Sequence, residues 1–131
     1  MKKSTLLNQP LSAVIASMGH TDTLTIGDCG LPIPAGPERI DLALVKGIPT
    51  FLETLDAVLS ELCVEKVMIA SEMQTKNPEL YAEIKQRFAG IPIVEVAHEQ
   101  FKLNSARSRA VVRTGEYKPY ANIILQSGVT F

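Results

Sequence analysis

Six short runs with strand character alternate along the chain with segments of helical spacing, and this alternation narrows the fold more than any other feature. The runs are Thr23 to Asp28, Arg39 to Leu44, Lys66 to Ala70, Ile91 to Ala97, Ala110 to Arg113 and Ala121 to Leu125. Between them, Leu11, Val14, Ile15 and Met18 recur at helical spacing behind Asn8 and Pro10, with Gly19 as the stop. Pro49 opens a second helix in which Thr50 and Glu53 have capping-box spacing and Phe51, Leu55, Val58, Leu59 and Leu62 make the apolar face. Asn77-Pro78 caps a third, whose inward side carries Leu80, Ile84 and Phe88, and His98 to Asn104 forms one or two further turns. Lys66 to Ala70 is continuously apolar past its lysine, the pattern of a strand covered on both faces. Strands separated by helices predict an α/β layered fold with a largely parallel sheet flanked by helices.

Length and composition set the outer limits. The chain has 131 residues, 46% hydrophobic and 21% charged, enough apolar surface for one domain over residues 1–131 to fold on its own core. Thirteen basic against fourteen acidic side chains give a net charge of −1, no footprint for a nucleic acid or an anionic membrane. No apolar stretch approaches the roughly 18 residues of a membrane span, and no apolar leader follows Lys2 and Lys3, so the expected location is the cytoplasm. Cys29 and Cys63 lie far apart without CxxC spacing, which indicates neither a zinc site nor a disulfide scaffold. Two ordinary reduced thiols are expected, with a mutual bridge or a reactive Cys29 as the alternatives.

There is no Walker phosphate loop, GxGxxG, GxSxG or HExxH, which removes whole classes of cofactor enzyme and hydrolase. Polar residues gather instead where strands end, the usual place for a ligand in an α/β sheet. In GHTD, His20 follows a helix-ending glycine and can exchange protons near neutral pH, with Asp22 or a backbone carbonyl fixing its tautomer. The alternative is a histidine that only complements the helix dipole. Asp28 opens the loop Cys29 to Pro37, whose three prolines and two glycines preclude regular structure, and it reads equally as a ligand acceptor or an Asx-turn residue. His98 reads as a ligand group or as a capping or surface histidine. Arg113 and Glu116 suggest a local ion pair or turn contact. Tyr120 offers a flat face and a hydroxyl, and Asn122 a donor and an acceptor, the mixture a neutral polyol requires. Together these groups suit proton transfer on a hydroxylated neutral ligand.

The segments GHTD, DxGLPIP, HEQFK, RTGE and PYANIILxxGVxF, in this order and at compatible spacing, resemble the ribose and fucose mutarotase family essentially end to end. Residues 50 to 90 carry little of the likeness, and Cys29 stands where a small residue such as alanine is expected. GHTD and GLPIP look more like the ribose branch than the L-fucose branch. The resemblance implies an isomerase that interconverts β-D-ribopyranose and β-D-ribofuranose, supplying the furanose to ribokinase, without a cofactor or metal. It further implies His20 as proton donor, Asp28, His98, Tyr120, Ala121 and Asn122 as sugar-binding positions, and a homodecamer of two stacked pentameric rings with sites near subunit boundaries. An L-fucose mutarotase, or a non-catalytic ring-forming protein that binds sugar, are the alternatives.

Overall fold

A computed structural model describes all 131 residues. Helix α1 (Gln9–Ser17) starts where Asn8 Oδ1 accepts the Leu11 N–H at 3.0 Å and Pro10 occupies the first turn. Strands β1 (Thr23–Gly27) and β2 (Glu38–Asp41) follow, then α2 (Phe51–Leu59), which carries the full Thr50–Glu53 capping box. Next come β3 (Val64–Ala70), the single turn α3 (Met73–Lys76), α4 (Pro78–Arg87), β4 (Ile93–Val96), α5 (His98–Ser105), β5 (Ala110–Arg113) and β6 (Ile123–Ser127). No helix is long and apolar enough to cross a membrane.

The six strands form one sheet in the order β2-β5-β1-β6-β3-β4. β6 runs antiparallel to both of its neighbours, and the other five strands are parallel to one another. The sheet is therefore largely parallel, as its helical crossovers require. Strand residues alternate between the two faces. Leu24 and Ile26, Ala110 and Val112, and Ile123 and Leu125 join Phe51, Leu55 and Ile84 in the main core. Val111 and Ile124 face the other way, where Leu31 and Phe101 complete a smaller cluster.

Several expectations need correction: the second run is a strand only as far as Asp41 rather than Leu44, and the fourth spans Ile93–Val96 rather than Ile91 to Ala97. β6 begins at Ile123 rather than Ala121, because Tyr120 has φ +56 and the chain turns before it can pair. β3 is not equally covered on both faces: Val67 and Ile69 are buried, but Met68 is only half-buried, at the margin of the smaller cluster that Leu31 and Phe101 of α5 complete. Asn77 makes no side-chain cap on α4, and its amide is spent elsewhere.

The topology gathers certain loops at one edge. Asp28 follows β1, Glu72 follows β3, His98 follows β4 and Thr114 follows β5, all at the carboxyl ends of parallel strands. Asn122 arrives at the same edge because β6 starts there.

Candidate functional site

Gly27 ends β1 where a side chain has no room: a Cβ would come within 3.0 Å of Asn122 Oδ1 and collide with Leu31. That close approach brings two residues 94 positions apart into a reciprocal pair. The Asp28 N–H donates to Asn122 Oδ1 at 2.9 Å, and Asn122 Nδ2 donates to Asp28 Oδ2 at 3.2 Å. Asp28 Oδ1 accepts the Gly30 N–H at 2.9 Å, so the Asx-turn and the shared cluster coexist in one residue. An ionised carboxylate has about four acceptor positions, which leaves capacity for a ligand hydroxyl. Burial pushes the Asp28 carboxyl above its ordinary range, opposed by hydrogen bonds from Gly30 and Asn122 and by the nearby His98.

His98 opens α5, its backbone N–H donating to both Glu72 oxygens at 3.0 and 3.1 Å. A carboxylate at a helix N-terminus is favoured by the exposed amides there. The imidazole lies nearly parallel to the Phe101 ring, centroids 6.3 Å apart, and meets the Tyr120 ring edge-on at 5.1 Å. Its Nδ1 is buried and has no hydrogen-bond partner, which leaves Nε2 as the nitrogen a ligand can use. Tyr120 is held in the left-handed region by its neighbours: Asn77 Nδ2 donates to the Pro119 carbonyl at 3.0 Å and the Asn122 N–H to the Tyr120 carbonyl at 2.9 Å. Ala121 is fully buried with its side chain in the main core, so it can offer a ligand only its backbone. Asn122, 1% exposed, has both ends of its amide engaged by Asp28. A shallow cleft beside this cluster is lined by Asp28, Cys29, Gly30, Glu116, Tyr117 and Pro119.

Arg113 and Glu116 do not pair with each other. Arg113 bonds the Cys29 carbonyl at 3.1 Å and Asp41 on the neighbouring strand. Glu116 makes the expected turn contacts, accepting the Tyr117 and Lys118 N–H groups, and its other oxygen takes the Phe51 N–H at the start of α2. Both cysteines are free thiols.

His20 lies elsewhere. It precedes β1 while Asp28 follows it, and five strand residues at ~3.3 Å each separate them by roughly 16 Å. Its side chain is half exposed, and Nε2 sits 3.0 Å from Glu65 Oε2. The partner is thus neither Asp22 nor a backbone carbonyl. Asp22 instead takes the Gly19 N–H at 2.9 Å and faces Arg109 at 3.5 Å. Sequence reasoning missed Glu65, Glu72, Asn77 and Phe101 as members of these two clusters. Only the HEQF spacing, which puts Phe101 one helical turn from His98, held a usable local signal.

A profile of the RbsD / FucU transport protein family matches residues 1–130. The chain belongs to the RbsD/FucU family. It is 62% identical over all 131 residues of both chains to D-ribose pyranase of Coprothermobacter proteolyticus, and 56% identical to that of Geobacillus thermodenitrificans over all of this chain and 99% of the other. The structure of Bacillus subtilis RbsD complexed with D-ribose superposes with a TM-score of 0.97 at 44% identity, covering both chains completely. Fucose mutarotase from Streptococcus pneumoniae in complex with L-fucose gives 0.80 at 26% identity, over 95% of this chain and 94% of that one. Within the RbsD/FucU family, the likeness is thus greater on the ribose side.

Proposed function

We propose that the chain is a D-ribose pyranase that interconverts β-D-ribopyranose and β-D-ribofuranose as one mutarotase domain over residues 1–131. The observation that carries this is the 62% identity, without gaps in coverage, to a D-ribose pyranase. The 44% identity to an RbsD complexed with D-ribose, against 26% to a fucose mutarotase, favours ribose over L-fucose. The enzyme works in the cytoplasm and supplies the furanose to ribokinase.

Opening the hemiacetal requires a proton at the ring oxygen and the loss of one from the anomeric hydroxyl. The freed aldehyde then recloses through a different hydroxyl. His20 donates the proton, since an imidazole can give a proton from one ring nitrogen while the other is held by a hydrogen bond. Asp28, His98 through Nε2, and Tyr120 bind the sugar, the backbone at Ala121 completes the contact surface, and Asn122 keeps Asp28 in place. The acid and the binding cluster occupy opposite ends of β1, so one copy's His20 serves the cluster of the next. Repeated head-to-tail contact makes a ring where the rotation between copies closes, and the assembly we propose is a decamer of two stacked pentamers. Exposed Leu44, Val45, Ile48 and Tyr117 near the cluster, and Val129 and Phe131 beyond the opposite end of β6, supply apolar surface for that contact.

Saturation-transfer NMR of ribopyranose and ribofuranose tests the reading: exchange is expected to accelerate when the protein is added. Binding of ribose without acceleration would mark a non-catalytic sugar-binding ring protein, and acceleration confined to L-fucose would reassign the substrate.

Asp28 also predicts a pH dependence. Burial raises its carboxyl pKa, so the acceptor is lost at a higher pH than for an exposed aspartate, whose pKa is about 3.9. Ribose affinity is expected to hold at neutral pH and to fall on acidification through a midpoint above that value. Losing a hydrogen bond to a charged group costs about 1.5–3 kcal/mol, roughly ten- to a hundredfold in affinity. Asp28→Asn should bind as weakly at neutral pH as the parent does in acid, with a flat profile. A parent profile with an unshifted midpoint would count against the role of Asp28.

A further inference from the structure

Ring opening by His20 and the sugar-binding residues makes no use of Glu65, yet several devices hold it against His20. Its Oε2 is 3.0 Å from His20 Nε2, and its Oε1 accepts from Gln126 Nε2 at 2.7 Å. The β3–β6 register shifts between Val64 and Lys66, which places Glu65 at a bulge, an irregularity that re-aims a side chain. Gly128 faces this bulge: a Cβ there would come within 3.0 Å of Glu65 Cβ, and its N–H closes onto the Cys63 carbonyl at 2.9 Å. The histidine turn is equally constrained. Thr21 has φ +69, rare for a β-branched residue, and is held there as its N–H donates to the Ser127 carbonyl at 3.0 Å.

We propose that Glu65 is the positioning residue of His20: its carboxylate accepts Nε2–H and leaves Nδ1 as the nitrogen that exchanges protons with the sugar. This rests on His20 being the proton donor. In the imidazolium, Nδ1–H then gives its proton to the pyranose ring oxygen as the bond from that oxygen to the anomeric carbon breaks and its electron pair moves onto the oxygen. The anomeric hydroxyl loses its proton to water as the carbonyl forms. On reclosure Nδ1 takes the proton of the attacking hydroxyl, and the carbonyl oxygen regains one from water, so the imidazole ends as it began. Glu65 stays ionised throughout, as a carboxylate that orients an imidazole does. Hydrogen bonds from Gln126 and then His20 hold its carboxyl below the ordinary range.

A merely structural pair predicts something different. His20 and Glu65 are 54% and 36% exposed, and ion pairs in such settings contribute little to stability. Breaking the pair should therefore leave the thermal transition in place while the rate falls.

The experiment compares ring-exchange kinetics and His20 ring ¹⁵N shifts in the parent, His20→Ala, Glu65→Ala and Glu65→Gln. For Glu65→Ala the rate at saturating ribose is expected to fall ~10- to 100-fold, with half-saturation changed by less than about twofold. The ¹⁵N shifts should move from the Nε2–H form to a mixture of tautomers. Glu65→Gln, whose amide oxygen still accepts, should restore the Nε2–H form and part of the rate. If His20→Ala abolishes acceleration while Glu65→Ala changes neither rate nor tautomer, the positioning role is wrong and the donor assignment stands. If His20→Ala itself leaves exchange unaffected, the donor assignment fails and this proposal with it.

Discussion

His20→Ala is expected to lower the ribopyranose–ribofuranose exchange rate by ~10²–10⁴-fold, the usual cost of removing a general acid, while the protein stays folded. The fold should survive because the side chain is 54% exposed and Glu65 is its hydrogen-bond partner. Changes at such surface positions usually stay within about 0.5 kcal/mol. Urea titration beside the NMR exchange assay separates the two effects. A second arm asks where the acid works. Asn122→Ala should disable the binding cluster of its own chain, because Asp28 loses both its amide donor and the acceptor of its backbone N–H. If one copy's His20 serves the next copy's cluster, unfolding and refolding the two inactive variants together should restore activity in about one site in four, as a head-to-tail ring requires. No recovery in a co-assembled mixture would place donor and cluster in the same chain, against the separation along β1.

Phe101→Ala is expected to produce the largest loss of stability among the residues around the cluster, about 3–5 kcal/mol by urea titration. Phe101 is fully buried and anchors the smaller of the two apolar clusters, where Leu31, Val111 and Ile124 have few other partners. The loss would be a large share of the 5–15 kcal/mol that holds a typical domain. Because the ring also lies flat beside His98, the same change should weaken ribose binding in the molecules that remain folded. Phe101→Leu keeps most of the volume and should recover most of the stability but not the flat support. Equal ribose affinity in Phe101→Leu and the parent would show that the aromatic face does nothing for His98.

Much of this architecture is legible one window at a time. The Thr50–Glu53 box, Asn8 with Pro10, and the apolar run AVVR act through neighbours a few residues away, and each appears in the structure where the spacing puts it, whereas the last strand starts two residues later than ANIIL predicts. The candidate cluster is half legible: Asp28, His98, Tyr120 and Asn122 do meet at one sheet edge, because strand ends of a parallel sheet share an edge whatever their order.

Local periodicity and propensity account for the longer helices, the strand runs, the caps of α1 and α2, the apolar faces and the chemical character of the residues at strand ends, but not for the single turn α3 or for Asn77, whose side chain makes no cap on α4. The tertiary structure decided the partners. Glu65 meets His20 across 45 residues, Glu72 meets His98 across 26 and Asn122 meets Asp28 across 94, each through a strand order and register that no single segment encodes. The separation of His20 from Asp28 has the same origin: residues on either side of one short strand are near in sequence, but an extended chain of about 3.3 Å per residue carries them to opposite edges of the sheet.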